Sequence, residues 1–222
     1  MGAVKSEGNH IQEIRIKILN SAKELLAEEG YRKTTIRKIV ERSGVLTGSI
    51  YYLFKNKEEI FKSMLLELTK DCQRAIKSRC GSESPLFQYA AVCEVELRVL
   101  AEYPIIRDTY RDGYCSGLIF EGMVKQFVNL ARDLFQGTVH ECSDEDYYAN
   151  TLLIKGGMYA CLTELYFKQK IRFANSRKHL QQMALILFGA SEAETADILQ
   201  HIDEKESLWL DIGNDLVKQP FR

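Results

Sequence analysis

Thr47-Gly48-Ser49, then Tyr51-Tyr52, then Lys55 and Lys57 set three kinds of contact chemistry within a dozen residues. Small polar side chains in the first turn of a helix let its backbone come close to a base edge or a phosphate. A phenol beside them can pack on a sugar or a thymine methyl and hydrogen-bond a phosphate oxygen, and a lysine supplies positive charge. Such a set grips nucleic acid only if a short helix presents it outward, so the flanking residues must build and anchor that helix.

They have the right types. Thr34 and Thr35 are hydroxyl residues suited to cap a helix start, and Ile36, Ile39 and Val40 recur at the spacing of one buried helical face. Ser43-Gly44-Val45 then predicts a sharp turn, in which Gly44 takes a positive backbone angle and Val45 returns the chain to a small core. Ile50, Leu53 and Phe54 face inward from the second helix and leave the polar set outside. The unit from Thr34 to Phe61 therefore reads as a helix-turn-helix. From Arg32 to Lys57 there are seven basic residues and one acid, a local balance of +6 in a chain whose net charge is −1. A patch of that kind releases counterions on meeting phosphate and makes binding salt-dependent.

The first sixty or so residues resemble the DNA-binding domain of the TetR family of bacterial transcriptional regulators. Ile14, Ile18, Ala22, Leu25 and Leu26 match its first helix, and Glu29-Gly30-Tyr31 its turn. Thr34-Thr35-Ile36, Ile39, Gly44-Val45, Gly48 through Phe54 and Lys57-Glu58 match the remainder. The resemblance implies phosphate contacts from Thr35, Tyr51, Tyr52 and Lys57, and base reading from Thr47, Gly48 and Ser49, with Arg37 and Tyr51 as further candidates. Two positions depart from the pattern. Leu46 stands where many relatives carry a serine cap, and Leu53 where many carry a histidine.

Composition limits the remaining classes. A chain of 222 residues with 45% hydrophobic and 27% charged residues can bury a core, and no window approaches the eighteen or so apolar residues of a membrane span. The expectation is a cytoplasmic protein without membrane association. Residues 1–9 read as a polar, mobile tail. Cys72, Cys80, Cys93, Cys115, Cys142 and Cys161 lack metal-site spacing, and most of them read as small buried hydrophobes, with a thiol sensor as the lesser alternative. His140-Glu141-Cys142 with Asp144 holds ligand types but reads as an ordinary polar loop, so neither a metal nor a cofactor is expected.

The chain beyond the reader is helical in pattern. One face of a connector from about Lys57 to Ser78 carries Ile60, Phe61, Met64, Leu65, Leu68, Cys72 and Ile76. Helices follow over Leu86–Glu102, a short stretch to Asp112, Ser116–Phe135, Asp144–Gln169, Ser176–Phe188 and Ala190–Ile212. The predicted fold class is all-α: a three-helix helix-turn-helix DNA-binding domain over 10–56, then a helical ligand-binding and dimerisation domain over 57–222.

Leu152, Leu153, Leu162, Leu165, Tyr166 and Phe167, with Leu180, Met183, Leu187 and Phe188, make two helices too apolar for solvent on every side. A two-fold homodimer is expected, on the apolar surface and on the family's four-helix subunit contact. Gly156-Gly157 would permit close backbone approach there or beside a ligand. Tyr89, Cys93 and Glu96 share a face, Arg107, Tyr110 and Tyr114 follow, and Phe127, Met158, Cys161 and Glu164 can close a cavity for a small molecule of unknown identity.

The resemblance implies a repressor that binds a palindromic double-stranded DNA operator and is released by that effector. No glycine-rich phosphate loop, nucleophile elbow or paired-ligand motif marks an enzyme. A helical protein-interaction module, or a regulator without an effector, is the alternative.

Overall fold

The computed structural model describes residues 2–164 and 173–222, with the backbone alone for 2–8, 164, 173 and 174. All regular structure among the described residues is helical, as the periodicity predicts. The head comprises α1 (Gly2–Lys33), α2 (Ile36–Ser43) and α3 (Thr47–Leu53). Then come α4 (Lys57–Cys80), α5 (Pro85–Glu102), α6 (Pro104–Tyr114) and α7 (Gly117–Phe135). The chain continues with α8 (Asp144–Glu164), α9 (Phe173–Leu187), α10 (Glu192–Glu204) and α11 (Glu206–Lys218).

Local chemistry sets most of the boundaries. Side-chain oxygens of Thr35, Asn56, Ser84, Ser116 and Ser191 accept from first-turn backbone amides of α2, α4, α5, α7 and α10, donors that otherwise lack a partner. Pro104 opens α6 at its first position, where its missing N–H removes no helical bond. Gly44 ends α2 at φ 64° with its N–H on the Val40 carbonyl.

Two expectations change. The tail foreseen over residues 1–9 instead continues α1 back to Gly2. The segment contains no proline, and extending a formed helix needs no new nucleus. The single helix foreseen over Ala190–Ile212 is two helices that meet at Lys205. The Trp209 indole N–H donates to the Ile202 carbonyl at 2.7 Å, and so does the Lys205 N–H, at 3.3 Å. That carbonyl is thus taken from the amide four residues on, which a continuous helix would require. Trp209 is fully buried by the turn this creates, beside Phe87.

Two apolar clusters hold the molecule together. One joins the second half of α4 to α5 and α7–α11 around Tyr89, Phe135, Phe188 and Trp209. The other starts in the head with Ile18, Leu19, Ile39, Ile50 and Phe54 and runs through Phe61 to Leu97, Leu100 and Met158. The head's core therefore continues into the body.

Two fully buried charged groups, Glu94 and Lys155, are each paired. Glu94 is fully buried and accepts from Arg98 Nε and Arg177 Nη1 at 2.5 Å each and from Gln181 Nε2 at 2.6 Å. The two arginines reach on to Glu206 in α11 and Asp203 in α10. One carboxylate on α5 thereby ties down α9, α10 and α11. Lys155, also fully buried, donates to Glu96 at 2.7 Å and lies over the Phe127 ring. Without such partners a buried ion would lose several kcal/mol of hydration uncompensated.

Candidate nucleic-acid interface and internal cavity

α3 is held from behind and bare in front. Ile50 and Phe54 insert into the head's core, while Thr47, Gly48, Tyr51 and Tyr52 are exposed, Tyr52 at 79%. Ser49 is half-buried. No side chain caps the start of α3, because Leu46 occupies the cap position and points into solvent, as its sequence position implied. Thr35 is exposed, yet its hydroxyl oxygen already accepts the Lys38 amide. Gly48 has open space where a Cβ would stand, so the first turn offers nothing bulky to an approaching surface.

The positive patch is more neutralised than a window count suggests. Arg42 forks onto Glu28 with two 2.7 Å bonds, Lys38 reaches Glu29 at 2.7 Å, and Arg32 forks onto Asp112 at 3.0 Å. These acids lie on α1 and α6, outside residues 32–57. Arg37 pairs with Glu41 at 2.9 Å on the exposed face of α2. Lys33 and Lys55 are exposed and carry no ion pair among the described residues. Lys57 is half-buried: its ammonium donates to the Tyr31 carbonyl at 2.8 Å and sits 3.9 Å from the Tyr31 ring centre. Burial lowers its pKa.

A cavity of about 80 Å³ lies where α1, α4, α5, α6, α7 and α11 meet. Its wall is mostly aliphatic and aromatic: Leu26, Met64, Leu68, Val95, Leu100 and Ile106 face it, with Phe61 and Phe127. Polar points are Lys23, Thr69, Glu96, Thr109 and Tyr110. Burial pushes the Tyr110 phenol well above its ordinary pKa.

Of the residues foreseen for a small-molecule site, Glu96, Tyr110 and Phe127 line this space. The others stand apart from it. Tyr89 is in the aromatic core against Phe127, Phe135 and Phe188, and Cys93 is buried on the same helix. Arg107 donates to the Ala101 carbonyl at 3.4 Å, Tyr114 stacks on Tyr159, and the Met158 sulfur receives Lys155. Cys161 is half-buried with its thiol 4.0 Å from the Ser176 carbonyl, and the Glu164 side chain lies outside the described residues, as do Leu165, Tyr166 and Phe167.

Sequence reasoning missed Lys23, Thr109 and the α11 pair Leu216 and Val217. Lys23 did carry a signal. It sits four residues after Leu19 and three before Leu26, a lysine on an apolar helical face. Nothing local pointed to α11, which closes over the cavity from the far end of the chain. There the Lys23 ammonium donates to the Gln219 carbonyl, and Asn20 exchanges two bonds with the Phe221 backbone.

α8 and α9 show an outward face with Tyr148, Leu152, Leu153 and Ile186 exposed. Gly156 has open space on this face, whereas a Cβ on Gly157 would stand 2.8 Å from Leu180. Gly157 therefore serves the contact of α8 with α9 inside one chain. His140, foreseen as loop chemistry, braces that end of the body through a 3.0 Å contact with the Phe188 carbonyl. No helix among the described residues is long and apolar enough to cross a membrane.

Comparison with known proteins places this architecture. The profile described as "Bacterial regulatory proteins, tetR family" matches residues 18–64. The chain is 30% identical over 157 residues to the fatty acid metabolism regulator protein of Bacillus subtilis, covering 57% of this chain and 79% of that protein. It is 32% identical over 116 residues to the transcriptional regulator QacR of Staphylococcus aureus, covering 50% of this chain and 62% of QacR. Among solved structures, RolR in complex with resorcinol superposes with a TM-score of 0.65 at 16% identity, over 96% of this chain and 97% of RolR. A TetR regulator from Rhodococcus sp. RHA1 gives 0.62 at 18% identity, over 79% and 96%.

Proposed function

The chain belongs to the TetR family of bacterial regulatory proteins, which bind DNA to regulate transcription, and from that premise we propose that it is an effector-released repressor acting as a homodimer on a palindromic operator. The observation that carries the DNA half is α3, anchored by Ile50 and Phe54 and bare at Thr47, Gly48, Tyr51 and Tyr52. A seven-residue helix makes too few contacts for a tight site alone. Two copies related by a two-fold axis read half-sites about one DNA turn, roughly 34–36 Å, or more apart.

The dimer is supported by the outward face of α8 and α9. Leu152, Leu153 and Ile186 are large and apolar, and Gly156 keeps the surface low between them. Effector control is supported by the cavity, whose walls come from head and body alike: α1 carries Lys23 and Leu26, and α6 carries Thr109 and Tyr110. Arg32 and Asp112 join the same two helices just outside it. A ligand that favours one spacing of these walls shifts the population of head positions. In this reading the head spans 10–56 and the effector and dimer domain 57–222.

Selection of bound duplexes from random DNA by the purified protein tests the assignment. A palindromic consensus is expected, bound by wild type and lost in Tyr52→Ala. Recovery of unenriched sequences would overturn it.

A further inference from the structure

The cavity's polar points are unequal, and the difference bears on what it holds. Glu96 is already neutralised by Lys155 at 2.7 Å, and the Thr69 hydroxyl donates to the Leu65 carbonyl of its own helix. Lys23 is different. Its side chain is almost wholly buried, and its ammonium donates to a neutral acceptor, the Gln219 carbonyl, with the Phe221 ring 4.8 Å away. No carboxylate lies within ion-pair distance of it among the described residues. Asp71 and Glu24 act on it only from beyond contact, and a buried cation whose direct contacts are a carbonyl and a ring is undercompensated. Thr109, 3% exposed, adds a hydroxyl without a hydrogen-bond partner among the described residues.

We propose that the cavity binds an amphipathic monoanion, a carboxylate on a compact apolar body, with the carboxylate on Lys23 and the apolar part among Leu68, Val95 and Phe127. The assignment rests on the cavity being the effector site. The apolar walls exclude a highly charged ligand such as a nucleotide, and with Glu96 paired to Lys155 the charged lining residue left without a contacting counter-ion is Lys23. The anion would compete with the Gln219 carbonyl for the ammonium. Occupancy and the tail's hold on α1 therefore draw on the same three N–H donors.

Octanoate, 1-octanol and octylamine share one chain and differ in charge. In a cavity without a cation octanoate would bind more weakly than octanol, because the carboxylate loses its hydration. Titration calorimetry on the intact protein is expected to show octanoate binding at least about tenfold tighter than 1-octanol, with octylamine weakest. In Lys23→Met, which keeps the length of the stem, the order of octanoate and octanol reverses; in Lys23→Arg it is kept. Should either variant fail to fold, the order of the three ligands on wild type decides alone. Octanol binding as tightly as octanoate or tighter overturns the anion while leaving a cavity that takes neutral ligands. Absence of binding by all three, with no effect on operator binding, overturns both the anion and the effector reading.

Discussion

Asn20 and Phe221, 201 positions apart in sequence, exchange a reciprocal pair of hydrogen bonds: Asn20 Nδ2 donates to the Phe221 carbonyl at 3.2 Å, and the Phe221 amide donates to Asn20 Oδ1 at 2.7 Å. The Phe221 ring is buried in the cluster that also holds Ile18 and Leu19 of the head. Asn20→Ala removes both bonds and is expected to destabilise the fold by about 1–3 kcal/mol. Phe221→Ala adds a cavity and is expected to lose about 3–5 kcal/mol. Urea unfolding measures both, and a Phe221→Ala protein as stable as wild type would show that the clasp contributes nothing.

Glu94 is a single acceptor for three donors on two helices. Glu94→Ala deserts Arg98, Arg177 and Gln181 in the interior and is expected to lose about 3–5 kcal/mol. Asp203→Ala touches only the solvent end of the same network, where Asp203 is largely exposed, and should lose under about 1 kcal/mol. Equal losses in the two variants would contradict a hub centred on Glu94.

Tyr52 and Lys55 are exposed, so their replacement should leave stability within about 0.5 kcal/mol of wild type. Tyr52→Ala is expected to weaken operator binding at least tenfold. Lys55→Ala should reduce the slope of log affinity against log salt by about one, the signature of one lost phosphate contact. An unchanged slope removes Lys55 from the phosphate contacts.

Leu153 and Ile186 are more than half exposed on α8 and α9. Leu153→Glu with Ile186→Glu is expected to give a folded monomer by sedimentation, with operator affinity lowered by a hundredfold or more because two heads no longer bind together. A dimer that survives both changes would place the subunit contact elsewhere.

Lys23 has its pKa lowered to about 8, mainly by burial, while Asp71 on α4 and Glu24 on α1 act in the opposite sense. A lysine whose folded pKa is below the unfolded 10.5 releases its proton earlier in the folded state. Between these values the unfolded chain binds more protons, so stability rises with pH. Relative to Lys23→Met, wild type should gain up to about 3 kcal/mol from pH 8 to 10.5. Chemical unfolding across that range measures the difference, and a flat difference would mean that Lys23 is solvated.

What could be read from the sequence is what local chemistry determines. Thr35 and Gly44 mark helix ends because each meets a backbone group within four residues, and Ile50 and Phe54 share a face because helical geometry requires it. The outward position of Tyr51 and Tyr52 follows from the same rule. The cavity obeys no such rule. α5 is buried on nearly every side, from Leu86 through Leu97, so periodicity on it cannot separate Tyr89, in the aromatic core, from Glu96, at the cavity. The cover over Lys23 arrives with Gln219, 196 positions away, which no local pattern can display. The break at Lys205 has a cause, the Trp209 indole on a backbone carbonyl, that is a contact between side chain and main chain and that no residue pattern displays.

α3 follows Leu46, which puts no side chain on its first amides, and leads into Phe54, whose ring is locked into the head. A helix this short does not hold itself together in water, and its order is supplied from the Phe54 end. Warming therefore loosens the Thr47 end first, while Ile50 keeps the rest seated. The half of the reader proposed to meet DNA is expected to melt locally while the body is still intact, so duplex binding should fall on warming before the far-ultraviolet circular dichroism of the body does.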